Sequence, residues 1–122
     1  MHIDELQDYC MAKKGVTAAF PFDEVTLVFK VMGKMFCLAG LDRFERGEPS
    51  INLKCDPEKA VALREQYDGG VLPGYHANKK HWNTVLLNRD IPQRELRTWI
   101  DHSYDLVASK LTRGEKESLK NV

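Results

Sequence analysis

The sequence predicts an α+β domain: an antiparallel β-sheet with helices packed on one of its faces. Three observations carry that reading. Apolar residues repeat at three and four between Pro92 and Leu111, and they alternate at two in the runs around Val25–Val31 and Ile51–Cys55. The elements then fall in the order helix, three-strand meander, helix, strand, long helix. A chain of 122 residues, 43% of them hydrophobic, is long enough for one core and short for two, so residues 1–122 are expected to form one domain.

Ile3, Leu6 and Cys10, with Tyr9 on the flank, set a short amphipathic helix from Ile3 to Lys14 that Gly15 would cap. Asp4, Glu5 and Asp8 crowd its first turns, where the helix dipole favours negative charge, and read as a solvated capping face. The stretch EVTLVFKVMGKMFCLAGL joins two apolar runs through Gly33-Lys34, a pair suited to a type II′ hairpin turn. Leu27, Phe29 and Val31 share one face with Val25, while Thr26, Val28, Lys30 and Met32 share the other. DRFERGEP reads as a loop and SINLKC as a third strand.

Asp56-Pro57 suits an N-cap followed by the first helical position, and Ala60, Leu63, Arg64 and Tyr67 trace a helix that Gly69-Gly70 stops. VLPGYHANKKHW reads as irregular and NTVLLN as a fourth strand. The long helix of 92–111 follows, and residues 113–122 read as a polar, partly ordered tail that only Leu119 could anchor.

Eighteen basic residues balance eighteen acidic ones, for a formal net charge of zero and a pI near 6.9. No whole-molecule field draws this chain to polyanions, so any nucleic-acid contact has to come from a local patch. Cys10, Cys37 and Cys55 form no C-x-x-C pair and read as buried free thiols in a reducing compartment. No run approaches the ~20 apolar residues of a membrane span, and MHIDELQDYC lacks the layout of a signal peptide, so a cytoplasmic location, with no membrane partner, is expected. His76 and His81 lack helical ligand spacing and a nearby third ligand, which argues against a metal site. The sequence has no G-x-S-x-G elbow and no phosphate-binding glycine loop, so neither an enzyme nor a cofactor is expected, and a monomer is the favoured state.

Gly74 to Val85, GYHANKKHWNTV, concentrates two histidines, two lysines, two asparagines, a tyrosine and a tryptophan. Lysines contact phosphates, asparagine and histidine hydrogen-bond sugars or base edges, and aromatic rings stack on bases. Alternatively, Tyr75 and Trp82 bury their rings while the polar groups satisfy a non-regular backbone, which would make the segment a folding element.

PGYHANKKHWNTVLL and ELRTWIDHSYDLV, preceded by LVFKVMGKMFCLAGL and INLKCDPEKAVALRE, closely resemble the MmcQ/YjbR family of small bacterial proteins, in order, from the first helix to about Leu111. That resemblance implies a frataxin/CyaY-like fold with paired β-hairpin wings, likened to the double-wing DNA-binding motif of a phage transcription factor. It implies DNA as a partner. Iron binding through the first helix, suggested by the frataxin likeness, is not carried over, because only three carboxylates cluster there.

Two functional expectations follow. In the first, Lys30, Lys34, Lys54, Lys79 and Lys80 contact DNA phosphates while His76, Asn78, His81 and Trp82 shape the surface. In the second, Tyr75, His76, His81, Trp82 and Tyr104 build a pocket for a small molecule or a protein partner, with histidine exchanging a proton near neutral pH.

Overall fold

A computed structural model describes residues 1–74 and 77–122. Helix α1 (Ile3–Met11) starts where Glu5 accepts the His2 amide at 3.1 Å, and it buries Leu6 and Cys10. It ends three residues before the expected Lys14, because Val16–Ala19 forms a short strand, β1, that the sequence reading left out. Strands β2 (Thr26–Val31) and β3 (Lys34–Gly40) make the predicted hairpin. Its turn is a correction: Val31 pairs with Lys34, so the two loop residues are Met32 and Gly33. Both have positive φ, 49° and 82°, which is a type I′ geometry rather than II′ and matches the twist of the flanking strands.

The expected loop after β3 holds a one-turn helix, α2 (Leu41–Glu45), ahead of β4 (Ser50–Lys54). Asp56 caps α3 (Pro57–Gln66) by accepting the Lys59 amide. Part of the segment read as irregular, Val71–Pro73, pairs as β5 beside β6 (Trp82–Leu86). Helix α4 (Gln93–Ser109) occupies the predicted span. The residues read as a polar tail form α5 (Arg113–Lys120), which opens on a reciprocal Thr112–Glu115 capping box. The Thr112 amide and hydroxyl hold the Glu115 carboxyl below the usual carboxylate range, and the nearby charge of Lys34 adds to this. Leu119 packs on the core as its expected anchor.

The described residues form one six-stranded sheet in the order β1-β2-β3-β4-β6-β5, with every neighbouring pair antiparallel. Leu27, Phe29, Val31, Cys37, Ala39, Ile51, Leu53, Val71 and Val85 bury one face of it. α4 crosses β2, β3 and β4 on that side and contributes Leu96, Trp99, Ile100 and Val107. All three cysteines are free and buried; the contact between Cys10 and Cys37, followed by burial, pushes the Cys37 thiol well up.

α1 docks on α4 through a polar clamp. Asp101 accepts from the Tyr9 hydroxyl at 2.6 Å and pairs with Lys13 at 2.5 Å, and the Lys13 ammonium lies 5.0 Å from the Tyr9 ring and 5.2 Å from the Tyr104 ring. Burial and the Asp101 contact push the Tyr9 phenol up to about 12.

A single buried hydroxyl ties α4 to the sheet. The β3–β4 ladder pairs Cys37–Ala39 with Ile51–Leu53, and the next rung would join Phe36 to Lys54. Instead the Ser103 Oγ, fully buried, donates to the Phe36 carbonyl at 2.5 Å and accepts the Lys54 amide at 2.9 Å. Two backbone groups that the opened ladder leaves without each other are both satisfied. Ser103→Ala should therefore cost about 1–3 kcal/mol of stability in urea unfolding, the penalty for leaving buried polar groups unpaired. A loss below about 0.5 kcal/mol would mean that the strands close directly onto each other.

Candidate nucleic-acid interface

The strand register fixes what the other face of the sheet carries. One row across it reads Lys30 and Met35, then Lys54 and Trp82. The next reads Val28, Leu38, Asn52, Thr84 and Leu72, and the third holds Thr26 and Gly40, then Ser50 and Leu86. Most of these side chains line a concavity of about 800 Å³, whose rim carries Phe22 and Asp23 on one side and Asn78 on the other. The Thr84 hydroxyl donates to Asn52 Oδ1 at 2.5 Å in its centre.

Both rims are held locally. The Asp23 carboxylate accepts the Val25 amide at 2.9 Å and the Thr26 amide at 2.6 Å; these bonds, Thr26 first, hold its carboxyl below the usual range. That turn leaves Phe22 63% exposed. On the opposite rim, Asn78 Oδ1 accepts the Lys80 amide at 2.9 Å, so the Asn78 side chain builds its own turn. The Gly74 amide donates to the Trp82 carbonyl at 2.9 Å, and a Cβ at Gly74 would come within 2.7 Å of the Trp82 Cβ. Only glycine fits this approach.

Arg64 on α3 holds the second rim from below. Its Nε donates to Asn83 Oδ1 at 2.7 Å, and its guanidinium also donates to the Lys79 and Trp82 carbonyls. Asn83 is buried and donates on to the Ala60 carbonyl at 3.4 Å. Beside this anchor, His102 Nε2 accepts the Asp56 amide at 3.2 Å, and burial, with the charge of Lys59, holds its imidazole below the ordinary value.

The structure gathers part of each predicted site. Lys30, Lys54 and Trp82 share the concave face, Lys34 begins β3 beside the hairpin turn, and Asn78, Lys79, Lys80 and His81 lead into β6. All lie at one end of the sheet, since the β2–β3 turn and the 74–81 connection both close that end. Tyr104 does not join them. It stands on α4, across the sheet, with its ring edge-on to Phe36 at 5.4 Å and its hydroxyl donating to the Lys14 carbonyl at 2.6 Å, so the five-residue pocket is corrected to exclude it. Tyr75 and His76 fall outside the described residues. Among the described residues, no group of three or more His, Cys, Asp or Glu side chains could hold a metal ion, and no helix is long and apolar enough to cross a membrane.

The sequence reading missed Met35, Leu38, Asn52 and Thr84 as site residues, and Arg64 and Asn83 as anchors. Alternation alone could have found Thr84: once β6 starts at Trp82, Thr84 must share its face.

A small α+β protein whose sheet is packed by helices on one face and left concave on the other is the class that this arrangement defines. The chain belongs to the YjbR family, whose model matches residues 11–106. It is 38% identical to the uncharacterised protein YbdF of Escherichia coli O157:H7 over 105 residues, covering 86% of this chain and 83% of that one. It is 33% identical to the uncharacterised protein YjbR of Escherichia coli K12 over 119 residues, 98% of each chain. Among solved structures, the Deinococcus radiodurans protein DR2400, of domain family DUF419, superposes with a TM-score of 0.89 at 36% identity, over 98% of this chain and 88% of that one. A Pseudomonas syringae protein gives a TM-score of 0.74 at 29% identity, over 88% and 99%.

The Arg64 fork makes its own prediction. Arg64→Lys keeps the charge but cannot span Asn83 and the two carbonyls at once. It should lower stability by about 1–3 kcal/mol and speed amide exchange in residues 78–82 over the rest of β6. Unchanged exchange there would show that the rim holds itself.

Proposed function

We propose that this protein is a non-enzymatic DNA-binding protein that grips phosphates with Lys30, Lys34, Lys54, Lys79 and Lys80. The observation that supports the reading is the collection of these five lysines at one end of the sheet in a chain of zero net charge. Lys34 stands at one hairpin tip and Lys79 and Lys80 in the connection of the other, the placement that a pair of DNA-contacting wings needs. Phosphate neutralisation supplies most non-specific affinity, and it needs local density of cations rather than a basic molecule. Asp56, the acidic group next in sequence to this end, is turned to the α3 cap by its bond to the Lys59 amide.

The small-molecule alternative keeps one supporting observation, the 800 Å³ concavity, which is within the size range of ligand sites. Without Tyr104 it rests on Trp82 and the polar centre of the open face.

Anisotropy titrations of labelled DNA across a salt series test the DNA reading. Replacing Lys79 and Lys80 by alanine should weaken binding and reduce the slope of log K against log salt by about two. Wild-type affinity and slope in the double variant would remove these lysines from the contact.

A further inference from the structure

We propose that the concave sheet face is a site for single-stranded nucleic acid, in which unstacked bases lie against Trp82 and Phe22 and the phosphates run past Lys30 and Lys54. This deepens the DNA-binding reading and rests on it. The row Lys30, Met35, Lys54, Trp82 alternates cation with apolar or aromatic surface across four adjacent strands. Two paired inter-strand steps of ~4.8 Å and the wider β3–β4 gap that Ser103 holds open separate β2 from β6 on this row, so it runs for more than about 14 Å, the scale of the four-stranded platforms on which two or three bases stack.

Two aromatic rings border the concavity from opposite rims, Trp82 beside the 77–81 segment and Phe22 beyond β2. Phe22 is 63% exposed, and Phe20 and Val25 in the same connection are also exposed, so the loop spends apolar surface on solvent without gaining core. In a duplex the base faces are already stacked on one another, and the phosphate backbone meets the protein first. A ring on the floor or rim of a concavity gains from nucleic acid only when a base leaves its stack. Between the rings, Met35 and Leu38 give an apolar floor, and the hydrogen-bonded Asn52–Thr84 pair makes its centre polar. The cations stand at one end of this face, with Lys30 and Lys54 on it and Lys79 and Lys80 leading into β6, while Asp23, Asp42 and Arg43 line the concavity at the other end; the phosphates are therefore assigned to the lysine end and the bases to the apolar floor.

The experiment compares a labelled oligothymidylate with a duplex of equal length, titrated with wild type, Trp82→Ala and Phe22→Ala at low and physiological salt. The proposal expects tighter binding of the single strand and a loss of roughly five- to hundred-fold in each variant, the range for removing one stacked base. Phe22→Ala keeps the test open even where Trp82→Ala fails to fold, because the Phe22 ring lies mostly in solvent. Duplex binding equal to or tighter than single-strand binding, with both variants at wild-type affinity, overturns the single-strand site and leaves the DNA reading standing. Absence of binding to either nucleic acid at low salt overturns both.

Discussion

The Ser103 hydroxyl is the constraint on which the sheet's working end depends. By standing between the Phe36 carbonyl and the Lys54 amide it holds β3 and β4 apart where their ladder would otherwise continue, while satisfying both groups in a place that water does not reach. The register of β2 against β3 shifts next to it, between Phe29 and Lys30. Such a bulge turns Phe36 inward with Cys37 and leaves Met35 among the residues of the concave face. The spread of the two strands therefore sets the row of Lys30, Met35, Lys54 and Trp82. Since the same serine sits on α4, helix docking and strand register are one event.

A second polar element does for the rim what Ser103 does for the floor. Arg64 and the buried Asn83 link α3 to β6 and reach two carbonyls of the segment that carries Lys79, Lys80 and Trp82. A guanidinium with several fixed donors restrains a short irregular segment better than apolar packing could, because that segment offers carbonyls rather than side chains to the core. Both devices spend buried hydrogen bonds on positioning. The core itself, apolar from Leu6 to Val107, gives stability and, by strand alternation, sends Lys30 and Lys54 to the opposite face.

Much of this architecture was legible in the sequence. The spacing of Leu96, Trp99, Ile100 and Val107 placed α4, and alternation in TLVFKV and SINLK assigned faces to β2 and β4. Short elements were lost because four residues in β1 and three in β5 are too few to show a period, and they exist through pairing with longer neighbours. The α5 helix was read as a tail because its composition is polar; its capping box and the single anchor Leu119 stabilise it instead. Of the candidate site, the lysines and Trp82 were readable as residue types suited to nucleic acid. Their convergence at one end was not, since it follows from the order β3-β4-β6, in which β6 inserts beside β4 and ahead of β5. Tyr104 was misplaced for the same reason: proximity across a sheet and proximity on one face look alike until the topology is known.

The measurement that bears most directly on the account is a map of backbone amide shifts as a short oligothymidylate is added to isotope-labelled protein. The account predicts shifts at Lys30, Met35, Lys54 and Asn78 to Trp82, with the outward surface of α4 unchanged. Shifts confined to the helical side, around Lys13, Lys116 and Lys120, would contradict it and move the interface to the opposite face of the molecule.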